Sequence, residues 1–505
     1  MSTLLVSPSG PGPFTFTQIG EGLGRAPLYQ DDWKNIEPRV SVAWDPFRTG
    51  KTSIRAGYGL YHDRVFGQLV SLLRGDPPFQ ILESQLCPGF LIGMPQLCTL
   101  SVLPPLATFP DSPNASSCPQ GQPLFSCSSP ILPFLVDSHL RTPYSQSWNA
   151  GIQVEPYPSL LLEANYVGTK GTRLLRLVDG NPPQPDLVAA LEAFCMPGNA
   201  LGCTQQTLQF SNLWLGANEF TINPSTGMQQ PVLPFNAANN NAFLQAELFK
   251  GIANSIYHAL QLNITKRFSH GFSVQGAYTY SHVIDDGADP LIPINNNILF
   301  PPWPRNSFNL RGERGNSEFD ATHRLVANYS WQIPLGPGRK HLEKGAMGRV
   351  VGGWTVSGIF TFSSGLPFDI FTNFDTHHTG VFARPDFNPS ATLTPSSDPR
   401  TQTGPSIALF STPAFGSGGN LGRNHFRGPG IMNSDVVLNK QMGIHERVKL
   451  DFRFEFYNLF NRVQFNQPDN LLADGTLFGH STSEFIRPDG TTGARQIQLG
   501  MKVSF

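Results

Sequence analysis

At 505 residues, with 14% charged side chains and a net charge of −1, the chain is charge-poor beside the roughly 25% of an average soluble protein, and it lacks the basic surplus that a polyanion partner requires. With 49 Gly, 45 Pro and 38 Phe, the composition suits many strands joined by irregular turns. No run reaches the ~18 apolar residues of a membrane helix, which argues against a helical membrane protein but not against a membrane barrel, apolar on one face only.

The start, "MSTLLVSPSGPGPF", has neither the basic region nor the apolar core of a signal peptide. It predicts a cytoplasmic chain or one whose true N-terminus is missing. Residues 1–36 are expected to hold only partial strand and loop.

Alternation of apolar and polar residues then predicts strands in pairs. "PRVSVAWDPF" carries Val40, Val42 and Trp44 on one face, and "RTGK" turns the chain into "TSIRAGYGLYHD". "SQSWNAGIQVEP" and "LLLEANYVG" are joined around Pro156 and Pro158. "YHALQLNITKRF" and "FSVQGAYTYSH" are separated by "SHG". "HRLVANYSWQIP" is linked to "GGWTVSGIFTFSSG" by the basic "PLGPGRKHLEKGAMGRVVGG". "NSDVVLNKQ" precedes "RVKLDFRFEFYN", with a tight turn between Met442 and Arg447. The terminal "QIQLGMKVSF" brings the count to about eleven. Connections alternate long and short, so every long loop opens on one end of the sheet. This is the pattern of an antiparallel outer-membrane β-barrel with short periplasmic turns and long extracellular loops. A soluble sandwich mixes loop lengths at both ends. Trp44, Tyr61, Tyr166, Tyr280, Trp331 and Trp354, near strand ends, suit aromatic girdles.

Six cysteines fall in the long loops as the local pairs Cys87 and Cys98, Cys118 and Cys127, and Cys195 and Cys203. With no C-x-x-C and no His at zinc-finger spacing, disulfides are expected over free thiols. Connectivity is one of about 15 possibilities.

Other motifs carry little chemistry. Asp320, His323 and Arg324 in "FDATHR" lack a nucleophile and predict rim hydrogen bonds and an ion pair. In "DTHHTG", with Asp375, the adjacent His377 and His378 point apart in an extended chain and predict a solvated loop, not a metal site. "PDLVAALEAF", from Pro185 to Phe194 and capped by Asp186, reads as a short helix packing down a long loop. Arg423, His425 and Arg427 in "NLGRNHFRGPG" lie outside any phosphate-loop frame and predict a loop edge. No catalysis, cofactor, metal or nucleic acid is expected.

Several blocks together resemble TonB-dependent outer-membrane receptors, in particular the Oar-like barrels. They include "TSIRAGYGLYHDR", "RTPYSQSWNAGIQ", "YHALQLNITKRFSHGFSVQGAYTYSHVIDD", "GGWTVSGIFTFSSGLPF", "NLGRNHFRGPG" and "FEFYNLFNRVQFNQP", in order from about Glu37 to Phe505. The terminal strand, with Leu499, Gly500, Met501, Val503 and Phe505, resembles the signal read by the barrel-assembly machinery. The resemblance implies capture of an extracellular ligand, with uptake driven through TonB and a plug. It also implies 22 strands. The plug and signal peptide have no counterpart here, so residues 37–505 are expected to be the C-terminal half of such a barrel. A plug-less surface-structural or adhesive barrel is the alternative.

Overall fold

The computed structural model describes residues 35–63, 134–179, 247–287 and 304–505, with brief gaps inside them, and short strand pieces at Thr3–Leu5, Thr17–Ile19, Phe220–Ile222 and Gln229–Pro231. Each predicted alternation forms a strand. These are β1 (Arg39–Trp44), β2 (Thr52–His62), β3 (Tyr144–Tyr157), β4 (Leu160–Asp179), β5 (Glu247–Ser269) and β6 (Phe272–Asp285). β7 (His323–Gln332), β8 (Trp354–Ser363), β9 (Ile431–His445), β10 (Val448–Tyr457) and β11 (Gln496–Ser504) follow. All eleven lie side by side in chain order, each antiparallel to the next. Among the described residues, β1 and β11 each have one neighbour in this order, and the sheet is not closed.

Register decides what each face carries. Met432, Phe362, Leu325, Tyr278, Leu262, Ala164, Ile152, Ile54 and Trp44 are successive cross-strand partners from β9 to β1. A second rung runs Leu499, Phe454, Leu438, Val356, Trp331 and Phe272. The opposite face carries Ser363, Arg324, Thr279, Gln261, Asn165, Gly151 and Arg55 in one rung. Because side chains alternate with period 2, the sheet has one mainly apolar and one mainly polar surface, with exceptions such as Lys440 and His323 on the first and Leu161 on the second. Ile264, in the middle of central strand β5, is 40% exposed. The apolar surface is therefore not covered by protein, so its contact must be with something else.

Turn chemistry agrees with this register. His270 (φ 54) and Gly271 (φ 80) make the two-residue β5–β6 turn, with the paired positive φ values of a type I′ hairpin. The connections at 45–51, 158–159, 270–271, 333–353 and 446–447 share one end, and those at 63–143, 180–246, 286–322, 364–430 and 458–495 share the other.

Four details correct the sequence reading. β4 and β5 run on to Asp179 and back to Glu247, well past the predicted segments "LLLEANYVG" and "YHALQLNITKRF", so that ribbon projects beyond its neighbours. β9 continues to His445, leaving only residues 446–447 to turn. The basic link holds a short helix, α1 (Gly345–Val351). Tyr61 lies in the polar row, under the Arg39 guanidinium at 4.5 Å, and not in an apolar girdle, because its parity on β2 matches Gly57 and Gly59. The other five aromatics lie on the apolar surface, Tyr166 and Tyr280 towards the long loops, and Trp44, Trp331 and Trp354 towards the short turns.

Trp148 covers its cross-strand partner Gly168 so closely that a Cβ there would meet the indole at 2.2 Å. Replacing Gly168 by Ala should displace the ring and cost about 1 kcal/mol or somewhat more, the low end of overpacking. Urea unfolding of the variant beside wild type measures this, and an unchanged midpoint would show that the ring moves freely.

Candidate functional site

Among the described residues, two of the long connections are folded. Pro367–Phe368 pairs with Phe426–Arg427, and Asp386–Phe387 pairs with Phe410–Ser411. Between them Phe368, Ile370, Leu421 and Phe478 form a small core, flanked by Phe387, Phe410, Phe426 and Leu472. Edge-to-face contacts, such as Phe410 with Phe426 at 5.6 Å and with Phe478 at 5.5 Å, lock it. The 364–430 and 458–495 connections thus fold together as a cap.

Buried ions root this cap. Arg384, 3% exposed, donates through both terminal nitrogens to Glu313, at 2.8 and 3.3 Å, and through Nε to Asp369 Oδ2 at 2.6 Å. Arg305 Nε lies 3.5 Å from the Glu313 carboxylate. Arg423 donates to the Glu313 carbonyl at 2.6 Å, to the Asp285 carbonyl at 2.9 Å, and to the Asp285 carboxylate. Asp285 ends β6 in the polar row, so Arg423 ties the cap to that side of the sheet. Asn424 and Asn316 exchange side-chain-to-backbone bonds at 2.8 and 3.1 Å. Arg427 donates to the carbonyl and carboxylate of Asp320, which also accepts from the Val283 amide at 2.8 Å.

The titration of these groups follows from where they sit. Burial alone pushes Glu313 up, but Arg384, then Arg305 and Arg176, hold it below the usual carboxylate range. Asp369 is raised, because complete burial outweighs its single guanidinium and Glu313 stands nearby. Arg384 is also penalised by burial, yet its two carboxylates keep it firmly charged. Burial and then the neighbouring Arg176 bring Arg423 down to about 10, still cationic at neutral pH.

Beside this network lies a cleft of about 210 Å³ lined by Arg305, Asn306, Asn309 and Glu313 among others. Sites for drug-sized ligands usually measure roughly 300–1,000 Å³. This cleft falls below that range, and the network beside it ties the cap to the sheet. Among the described residues no cluster of His, Cys, Asp or Glu could hold a metal ion.

The expected rim contacts are present, with different partners. Asp320 pairs with Arg427 and lies 3.1 Å from His282, while His323 meets the Tyr278 hydroxyl at 2.8 Å on the apolar side and Arg324 lies in the polar row. Arg423 and Arg427, read as a loop edge, turn out to be structural centres. His425 packs its ring at a tilt against Phe387 and edge-on against Phe426. Leu499, Gly500, Met501 and Val503 lie in β11, opposite Phe454, Arg453, Phe452 and Leu450, and Phe505 is 99% exposed beyond it. All six cysteines, Asp375, His377, His378 and the Pro185 to Phe194 segment lie outside the described residues. What the sequence missed was Glu313, Asp369 and Arg384, whose one signal was an Asp and an Arg in otherwise apolar surroundings, "PFDIF" and "VFARP".

A second carboxylate site lies in the 458–495 connection. Asp469 is pushed up to about 6 by burial and by a hydrogen bond with Asp474. Its oxygen also accepts from the Leu471 amide at 3.2 Å. A raised folded-state value contributes stability that is full below the unfolded value, near 3.9, and lost as pH rises through about 6. Asp469→Asn mimics the protonated form, keeping both bonds at every pH. It should stabilise this connection by about 1 kcal/mol at pH 8, allowing for solvent screening, and change nothing at pH 4. Limited proteolysis of 458–495 at both pH values reads the difference; equal protection at pH 8 refutes it.

Comparison with known proteins bears on the whole sheet. No curated protein matches the sequence. Solved structures that are similar include the outer membrane transporter YddB of Escherichia coli, 9% identical over 93% of this chain and 40% of that one, TM-score 0.39. The siderophore receptor PirA of Acinetobacter baumannii is 9% identical, covering 93% and 41%, TM-score 0.36. The pyoverdine receptor FpvA of Pseudomonas aeruginosa is 10% identical, covering 97% and 38%, TM-score 0.38. The chain thus spans about two fifths of the length of these proteins. A family model described as an outer membrane beta barrel domain matches residues 3–498. With an uncovered apolar surface backed by a polar one, and loops sorted by length to two ends, the chain belongs to the outer-membrane β-barrel domain family and resides in the outer membrane.

Proposed function

We propose that residues 37–505 form the C-terminal part of an Oar-like TonB-dependent receptor barrel, whose intact form captures an extracellular ligand and takes it up with energy delivered by TonB through a plug. The single observation that carries this reading is the cap: the 364–430 and 458–495 connections are folded together, cored, and bolted by Arg423 to the polar row. A mouth held in one shape suits selective capture, and a polar row behind it suits passage of a hydrated ligand. Six loop cysteines, paired as disulfides, would stiffen that mouth further. The chain is not an enzyme in this reading. Growth profiling of strains lacking the gene, lacking TonB, or lacking both tests it. The same nutrient defects in all three support uptake. Lost surface adhesion without a nutrient defect, seen only when the gene is absent, would favour the plug-less adhesive barrel instead.

The strand ending at Phe505 serves the assembly machinery in the same proposal. Deleting Phe505 should lower the amount recovered in outer membranes, while replacing exposed Phe319, in the 286–322 connection, should not. Equal recovery of both variants would remove this role.

A further inference from the structure

We propose that the β7–β8 connection is an interfacial anchor that seats α1 on the inner, phospholipid leaflet and prefers anionic headgroups. The inference rests on the outer-membrane location and not on the receptor reading. Lys440 stands in the apolar row of β9, opposite Trp354 and Phe452. It reaches the short-turn end and donates to the Val350 carbonyl at 3.0 Å and to the Gly352 carbonyl. Its ammonium also lies 5.6 Å from the Trp354 ring. The C-terminal carbonyls of α1 are thus held by a cation projecting from the lipid-facing side of the wall, so the helix is pinned outside the barrel, at the height of the short turns.

What α1 and its approach then present is apolar. Met347 is 66% exposed, Val350 64% and Leu342 49%. They are continuous with the lipid-facing surface through Trp354 and Lys440. Segment 336–352 holds Arg339, Lys340, Lys344 and Arg349 against one acid, Glu343. Apolar residues beside an excess of cations make the composition of an element that lies in a headgroup layer. Among the described residues, none of the short connections at 45–51, 158–159 and 270–271 holds a helix.

The test places the photoreactive residue benzoylphenylalanine at Met347, Val350 or Phe454 of the full chain. The protein is reconstituted in vesicles of phosphatidylcholine with or without phosphatidylglycerol, irradiated, and analysed by mass spectrometry. Phe454, mid-row on β10, reports insertion of the wall itself. The expected result is lipid adducts at all three positions, with those at Met347 and Val350 shifted several-fold towards phosphatidylglycerol. Replacing Arg339, Lys340, Lys344 and Arg349 by Gln should abolish that shift and leave the Phe454 adducts unchanged. Adducts at Phe454 with none at Met347 and Val350 would overturn the anchor while leaving the membrane wall intact. Equal yields with both lipids would overturn the anionic preference. Absence of adducts even at Phe454 would overturn the anchor together with the insertion it depends on.

Discussion

Arg384→Met should unfold the cap. The substitution leaves Glu313 and Asp369, both about 3% exposed, facing each other without their shared cation. Removing one partner from a buried pair costs about 3–5 kcal/mol, because the remaining charge stays desolvated. A core of four buried side chains cannot absorb that loss. The cap should therefore open while the strands persist. Hydrogen exchange would show protection lost across 366–372, 383–387 and 420–428 and retained in β5 and β6. The triple variant Arg384→Met, Glu313→Gln, Asp369→Asn removes the charges together and should recover most of the protection, since neutral polar groups are far cheaper to bury. If the single variant keeps full protection, the network is ornamental. If the triple variant is no better than the single one, the loss lies in packing around Arg384, not in its charge.

Ile264→Arg should weaken the wall by about 2–4 kcal/mol, the cost of an arginine near the bilayer midplane. Its neighbour in sequence is the control. Thr265 points to the polar row, opposite Gln275 and Leu161, so Thr265→Arg should change stability little. Ile264 lies opposite Leu162 and Gly276, roughly midway between the Tyr166 and Tyr280 level and the His270 turn. Urea titration in bilayers measures both. A soluble sheet with a wet apolar face would tolerate Arg at 264 as readily as at 265, so equal midpoints would contradict the lipid contact.

These two sites also mark what sequence alone could reveal. Ile264 was legible, because period-2 alternation is local: "YHALQLNITKRF" displays its two faces within a dozen residues. The same holds for β10, where Phe452, Phe454 and Phe456 alternate with Asp451, Arg453 and Glu455. Loop sorting was legible as well, since it needs only strand ends. The cap was not. Arg384 meets Glu313 across 71 residues and Arg423 meets Asp285 across 138, with no periodicity to announce either pair. The overlong β4 and β5 were missed for a related reason: their outer halves depend on each other and carry register shifts near Ile252. Helix α1 escaped because seven residues containing two glycines hold little helical propensity; Lys440, from a distant strand, caps it.

Ten antiparallel steps separate β1 from β11, so these two edge strands point the same way. Joined to each other, they would meet as a parallel seam. A second copy inserted with the same orientation would only double the fault, placing one such seam at each junction. An uninterrupted up-and-down ring needs whatever fills the gap to begin and end with strands pointing the other way. Strands added to complete such a ring would have to be odd in number, beginning and ending against the direction that β1 and β11 share.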